Sequence, residues 1–179
     1  MTAISVIALC LLLVSVGYTH FKTKYQETAP VDAFEMISSF PYLAMVYTSS
    51  DDPEFKCATA TLTYLNEQTK DSTYVWHFKS PINHHTVVRT STFDISQSDN
   101  IDQVHFILDG NQCEVYTAYY NYTDYENCIV SIIPYYGENL CILWVAQEKV
   151  NNIPEKCLAA HHATCPVEYR AYESDICDA

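Results

Sequence analysis

From Tyr42 onward the chain is dominated by short runs in which apolar and polar residues alternate, separated by turn-forming clusters. A period of two is the mark of half-buried strands, and it leaves few places for helices. Eight such runs are legible: Tyr42 to Thr48, Lys56 to Tyr64, Thr73 to Lys79, Thr86 to Asp94, Val104 to Asp109, Gln112 to Tyr122, Cys128 to Tyr135 and Cys141 to Ala146. They are rich in Val, Ile, Thr, Tyr and Phe, which fit a pleated surface with one face covered. Asp51-Asp52-Pro53, Asn66-Glu67, Ser80 to Asn83, Ser96 to Asn100 and Tyr136 to Asn139 supply the breaks, and Asp109-Gly110 reads as a tight hairpin. Helical periodicity is confined to the ends. Pro30 to Ile37 suits a short N-terminal helix, and Asn152-Ile153-Pro154-Glu155 opens a second that carries Cys157, Leu158, Ala160, His161 and Cys165 before Pro166 stops it. A last extended piece runs from Glu168 to Glu173. The order points to an all-β, antiparallel up-and-down meander that closes into a barrel with room for one small ligand. A two-sheet sandwich with a filled core has the same strand count.

The first residues read as a targeting segment rather than structure. Ile4 to Val16 is almost wholly apolar, with small residues at its end and beyond it at Ser15, Gly17 and Thr19, the layout of a secretory signal peptide. The run is shorter than the ~20 apolar residues that span a bilayer. We expect residues 1–19 to be the signal, with cleavage after Gly17 or Thr19, and 20–179 to be a single domain. The product would be secreted and extracellular. Seven cysteines remain beyond Cys10, and in an oxidising compartment these read first as disulfides. No Cys-x-x-Cys pair is present, so no metal is expected. Asn121-Tyr122-Thr123 is a glycosylation sequon. The chain holds 9 Lys and Arg against 22 Asp and Glu, a net charge of −13. Like charge makes nucleic acid and anionic membranes poor partners.

No nucleophile–base constellation, phosphate loop or His-Glu-x-x-His motif is present, so neither an enzyme nor a cofactor is expected. His84-His85 and His161-His162 are adjacent pairs. Neighbours on a strand point to opposite faces, and on a helix they diverge by about 100°, so neither doublet chelates an ion by itself. Both read as solvated surface histidines. The positive signal is aromatic. Tyr74, Trp76 and Phe78 share one strand face, and Val104, Phe106 and Leu108 share another. Such faces either fill a barrel or line its pocket. Arg89 shares its face with Val87, Ser91 and Phe93, and an Arg among apolar groups needs a carboxylate, from the protein or from a ligand.

Cys128-Ile129-Val130, an 11-residue spacer, Ile142-Leu143-Trp144, a 12-residue spacer and Cys157 together resemble the signature of tick salivary lipocalins, the histamine-binding proteins and their relatives. Val31 to Phe34, Asp52-Pro53 before Cys57, Asn152 to Pro154 and Cys177 are similar too. The resemblance implies a secreted eight-stranded lipocalin barrel with a short N-terminal helix and a C-terminal α-helix packed outside. It implies a role in tick saliva, where such proteins sequester host mediators (histamine, serotonin, eicosanoids or other lipids) and so evade host inflammatory and haemostatic defence. Some members instead bind complement proteins, so a host protein is the alternative partner. We expect a monomer. The family pattern pairs Cys57 with Cys177 and Cys128 with Cys157. Cys141 with Cys165 is our assignment for the remainder, leaving Cys113 unpaired.

Amine-binding members carry Asp directly after the first signature cysteine and Glu directly before Leu-Trp. Here Ile129 and Ile142 stand at those positions. Strand alternation predicts that both point inward. Burying an ammonium without a carboxylate costs several kcal/mol. An apolar or eicosanoid-type ligand is therefore favoured over histamine, with amine binding through other acids, such as Asp52, as the alternative. The expected ligand contacts are Trp76, Phe78, Phe106, Ile129, Ile142 and Trp144, with Phe34 from the N-terminal helix. Ser131 would add a hydrogen bond, and Arg89 would meet a ligand carboxylate.

Overall fold

The computed structural model describes residues 29–82 and 85–178. The expected signal segment, Cys10 and His84 lie outside the described residues. Helix α1 (Ala33–Ser39) starts later than Pro30 because the Asp32 carboxylate caps it, accepting from the Phe34 and Glu35 N–H groups at 3.1 and 2.9 Å. The Asp32 N–H in turn donates to the Tyr125 hydroxyl at 2.8 Å, and Ala33 N–H to the Ile101 carbonyl at 2.8 Å. Two neighbouring turns thus fix α1, which buries Ala33, Met36 and Ile37.

The strands are β1 (Tyr42–Thr48), β2 (Thr59–Asn66), β3 (Asp71–Ile82), β4 (His85–Gln97), β5 (Gln103–Leu108), β6 (Tyr116–Thr123), β7 (Cys128–Tyr135) and β8 (Glu138–Ala146). Each pairs antiparallel with its sequence neighbour, and β1 also pairs with β8, from Leu43↔Ala146 to Thr48↔Ile142. Since β1 pairs with β2 on its other side, at Tyr42↔Thr61 to Ala44↔Thr59, the sheet closes. The fold is a closed eight-stranded barrel and not a sandwich. Helix α2 (Glu155–Thr164) packs outside it against β6, β7 and β8. A two-residue strand β9 (Tyr169–Arg170) then joins β1 at Tyr47 and Thr48, and a single-turn helix α3 (Ser174–Cys177) follows.

Three departures from the sequence reading have local causes. Strand β2 begins at Thr59 rather than Lys56 because Pro53–Phe55 forms a 3₁₀ turn capped by Asp52, after which Cys57 takes φ +57°. Asp109 and Gly110 adopt φ +49° and +72°, suited to a tight hairpin, yet β6 resumes only at Tyr116. Asp109 bonds back to β4 instead: its N–H donates to the Thr92 carbonyl at 2.8 Å, and its carboxylate accepts from the Thr92 N–H at 2.6 Å. Helix α2 starts after Pro154 without a side-chain cap, so Asn152 is not its cap.

Alternation along the strands builds two cores. The inner one fills the barrel. The outer one lies between the barrel wall and α2 and contains Val46, Val130, Leu143 and Val145. Disulfides Cys128–Cys157 and Cys141–Cys165 pin α2 across β7 and β8, while Cys57–Cys177 ties the C-terminal tail to the loop before β2. Cys113 is an exposed free thiol. Asp124 reinforces the outer core. Its carboxylate accepts from the Asn127 and Cys128 N–H groups at 2.7 and 3.1 Å and meets Lys156 Nζ of α2 at 2.8 Å. Burial alone would raise this carboxyl, but those hydrogen bonds outweigh it and hold it well below the usual carboxylate range.

His161 corrects the reading of a solvated doublet. It is 0% exposed, stacked on the Tyr47 ring at 5.5 Å between centroids. The face of α2 that carries it is pressed onto β1 and β8 by the Cys141–Cys165 bridge, which no local pattern foretells. Burial keeps its imidazole below the ordinary histidine range.

Candidate functional site

The lumen is built by the inward parity of the strands and floored by α1. Trp76 stands at its centre, with ring centroids 4.3 Å from Phe93, 5.0 Å from Trp144, 5.4 Å from Tyr135 and 6.2 Å from Phe78. Phe106 extends the cluster, 5.3 Å from Phe93 and 5.4 Å from Tyr116. Between this aromatic layer and Met36 and Ile37 of α1 lies a cavity of about 40 Å³, also walled by Tyr74, Ile95, Val104, Tyr120, Ile129 and Ile133. A space of that size holds a few waters at most. A drug-sized ligand occupies a pocket of roughly 300 Å³ or more, so the rings must move to admit one.

No Asp or Glu lines this cavity among the described residues. Ile129 and Ile142 both face inward, 2% and 0% exposed. Polar groups in the wall are few and uncharged. The Tyr74 hydroxyl donates to the Phe40 carbonyl of the α1 end, and burial pushes the Tyr74 and Tyr120 phenols above the ordinary tyrosine range. Ser131, paired across strands with Tyr120 and Ile142, has a buried Oγ without a hydrogen-bond partner. An unpaired buried hydroxyl costs about 1–3 kcal/mol, so a ligand oxygen reaching it would find a ready donor.

At the opposite end the lumen is stoppered. Phe55, on the 3₁₀ turn between β1 and β2, packs edge-on to Phe78 and Tyr135 at 6.0 and 5.9 Å. The adjacent Glu54 meets Arg89 Nε at 2.9 Å, a contact of charges without hydrogen-bond geometry. Arg89 Nη2 donates to the Tyr135 hydroxyl at 2.6 Å, and its guanidinium lies 4.8 Å from the Phe78 ring centre. Ser91 Oγ completes the group at 3.0 Å from the same hydroxyl. Burial, opposed by Ser91 and Arg89, leaves the Tyr135 phenol pushed up to about 12, so it stays neutral at physiological pH.

The nine expected contacts therefore separate. Trp76, Phe106, Ile129 and Trp144 line the cavity. Phe78, Ser131 and Ile142 belong to the barrel interior above it. Arg89 stands half-exposed at the mouth, with a protein carboxylate as its partner. Phe34 is on the outside of α1, under the Lys70 ammonium at 4.2 Å, and Met36 and Ile37 take the inward places. Asn121 is exposed on β6. The sequence reading missed Phe93 and Tyr135, which have the right parity. It also missed Phe55 and Glu54, whose inward placement depends on a turn that strand periodicity does not describe.

The family model of the tick histamine binding protein matches residues 22–178. No curated protein sequence matches the chain. Among solved structures, AM182 in its serotonin complex aligns with a TM-score of 0.60 at 15% identity, over 82% of this chain and 93% of that one. Japanin from Rhipicephalus appendiculatus, bound to cholesterol, aligns with a TM-score of 0.57 at 16% identity, over 73% and 90%. Per a 4, a major allergen from cockroaches, follows at 0.54 and 12%, over 83% and 95%. These identities are low and the likeness is one of fold. The match over residues 22–178 carries the assignment further, and by it the chain belongs to the tick histamine binding protein family.

Proposed function

We propose that this protein is a secreted lipocalin that sequesters an apolar, eicosanoid-type mediator of the host, stoichiometrically and without turnover, to blunt inflammatory and haemostatic defence. The observation that carries this reading is the lining of the cavity, aromatic and aliphatic among the described residues, with isoleucines facing in at positions 129 and 142 and no carboxylate among the described residues that line it. AM182 holds serotonin and Japanin cholesterol, so the fold accommodates both classes, and the wall chemistry of this chain supports the apolar one. An ammonium placed here would lose its hydration without gaining a counter-charge, at a cost of several kcal/mol.

The mouth supports an acidic head-group. A ligand carboxylate would replace Glu54 on Arg89 and keep the Tyr135 hydrogen bond, and loss of the Glu54 contact would free the turn that carries the Phe55 stopper. The acyl chain would then displace the rings around Trp76 and extend toward α1. Residues 1–19 would be removed on secretion, leaving the single domain 20–179, glycosylated at the exposed Asn121.

The test is native mass spectrometry of the secreted protein with histamine, serotonin, arachidonate, leukotrienes and a thromboxane analogue. Retention of a lipid without any amine adduct supports the proposal. Stoichiometric amine binding overturns the ligand class. Retention of neither class would move the reading to an inhibitor of a host complement or immune protein, with the barrel as scaffold.

A further inference from the structure

The last turn of helix α2 carries His161 and His162, and the segment that follows carries Glu168. Tertiary structure brings these three side chains to one point. Oε2 of Glu168 lies 3.4 Å from His161 Nδ1 and 3.1 Å from His162 Nε2, and one ligand atom from each residue falls within 4.8 Å of the others. Metal–ligand bonds of about 2.1 Å in a tetrahedron give ligand–ligand edges of about 3.4 Å, so the two edges from Glu168 already have the length such a site needs.

The independent observation is His161 itself. Its side chain is 0% exposed, and neither ring nitrogen has a hydrogen-bond partner. Buried polar atoms are almost always satisfied, and an orphan calls for an explanation, of which an ion is one. His161 Nδ1 faces Glu168, while the Tyr47 ring stacked at 5.5 Å fixes the plane of the imidazole. The Cys141–Cys165 bridge and the bond from Cys165 N–H to the His161 carbonyl, at 2.8 Å, hold the chain between the ligands. His162 and Glu168 are 60% and 42% exposed, which leaves the fourth corner open to water.

We propose that His161, His162 and Glu168 bind one divalent transition-metal ion of the zinc class on the outside of the barrel, apart from the lumen. Two imidazole nitrogens and one carboxylate oxygen suit Zn²⁺ or Cu²⁺ rather than Ca²⁺ or Mg²⁺, which take oxygen shells. The ion would join the end of α2 to the segment before β9. The other cluster of this kind among the described residues, Asp124 with Cys128 and Cys157, cannot ligate an ion, because both sulfurs are in a disulfide and Lys156 occupies the carboxylate.

The experiment uses untagged, disulfide-intact secreted protein, stripped with a chelator and titrated calorimetrically with ZnCl₂. One equivalent should bind, and His162→Ala and Glu168→Gln should each weaken binding by about 100-fold or more, while His105→Ala on β5 leaves it unchanged. His162 is exposed, so its truncation is not expected to unfold the chain. With CuCl₂ in place of zinc, electron paramagnetic resonance should report two imidazole nitrogens in the parent and one in His162→Ala. No stoichiometric binding, or equal binding by parent and variants, overturns the proposal.

Discussion

Ile142 and Leu143 are consecutive on β8 and equally closed to water, yet they pack into different cores. Ile142 faces a lumen of large rings in contact through their faces and edges, with a void of about 40 Å³ at its floor and an unpartnered hydroxyl at Ser131. Leu143 faces a layer of mainly aliphatic side chains clamped by two disulfides and by the Asp124 hydrogen bonds. The difference is one of adaptability. Rings such as Trp76, Phe93 and Phe106, packed through their faces and edges, can change rotamer together, while a covalently bridged layer cannot separate. A binding barrel needs this division, because its interior must give way to a ligand while its wall keeps the register.

The contrast can be broken most forcefully at the tail. Cys57→Ser with Cys177→Ser releases a 120-residue loop and should lower stability by about 5 kcal/mol, measured by denaturant unfolding. A loss below about 2 kcal/mol would mean that this bridge adds little stiffness to the shell. Next comes the direct comparison of the two neighbours. Leu143→Ala should cost about 4 kcal/mol, and Ile142→Ala about 2–3, because the rings around Ile142 can partly refill the space. Only Ile142→Ala should tighten lipid binding, and equal costs would erase the distinction between the cores.

Asp124→Asn should cost about 2 kcal/mol at neutral pH. The native carboxyl is depressed, so its contribution is present above the unfolded value near 3.9 and is lost as pH falls through the folded value. Parent and variant unfolding curves should therefore converge in acid. Arg89→Ala sharpens the picture at the smallest cost, below about 1 kcal/mol, since the Glu54 pair is partly exposed. Its effect should fall on specificity: the variant should no longer distinguish a fatty acid from its methyl ester.

Much of this arrangement is legible in the residues. A period of two assigns Trp76, Phe106, Ile129 and Ile142 to one side of their strands, since a slip by one residue would turn the whole set outward. The cysteine and Leu-Trp spacing carried the family reading on top of that. The short N-terminal helix was legible too, but not which of its apolar residues faces in: Phe34 lies outside and Met36 and Ile37 form the floor, because the Asp32 cap and the Tyr125 and Ile101 bonds set the rotation of α1.

Pattern and composition thus settled the strand faces and the absence of acids at positions 129 and 142, and left barrel and sandwich both open until the β1 pairings closed the sheet. They act through local geometry, which every residue carries with it. How far the rings fill the lumen, the seating of Phe55 and Glu54 over its mouth, and the meeting of His161, His162 and Glu168 arose only on closure. Each depends on contacts between segments brought together by the sheet and the disulfides, and periodicity assigns a residue its face without naming what will lie opposite.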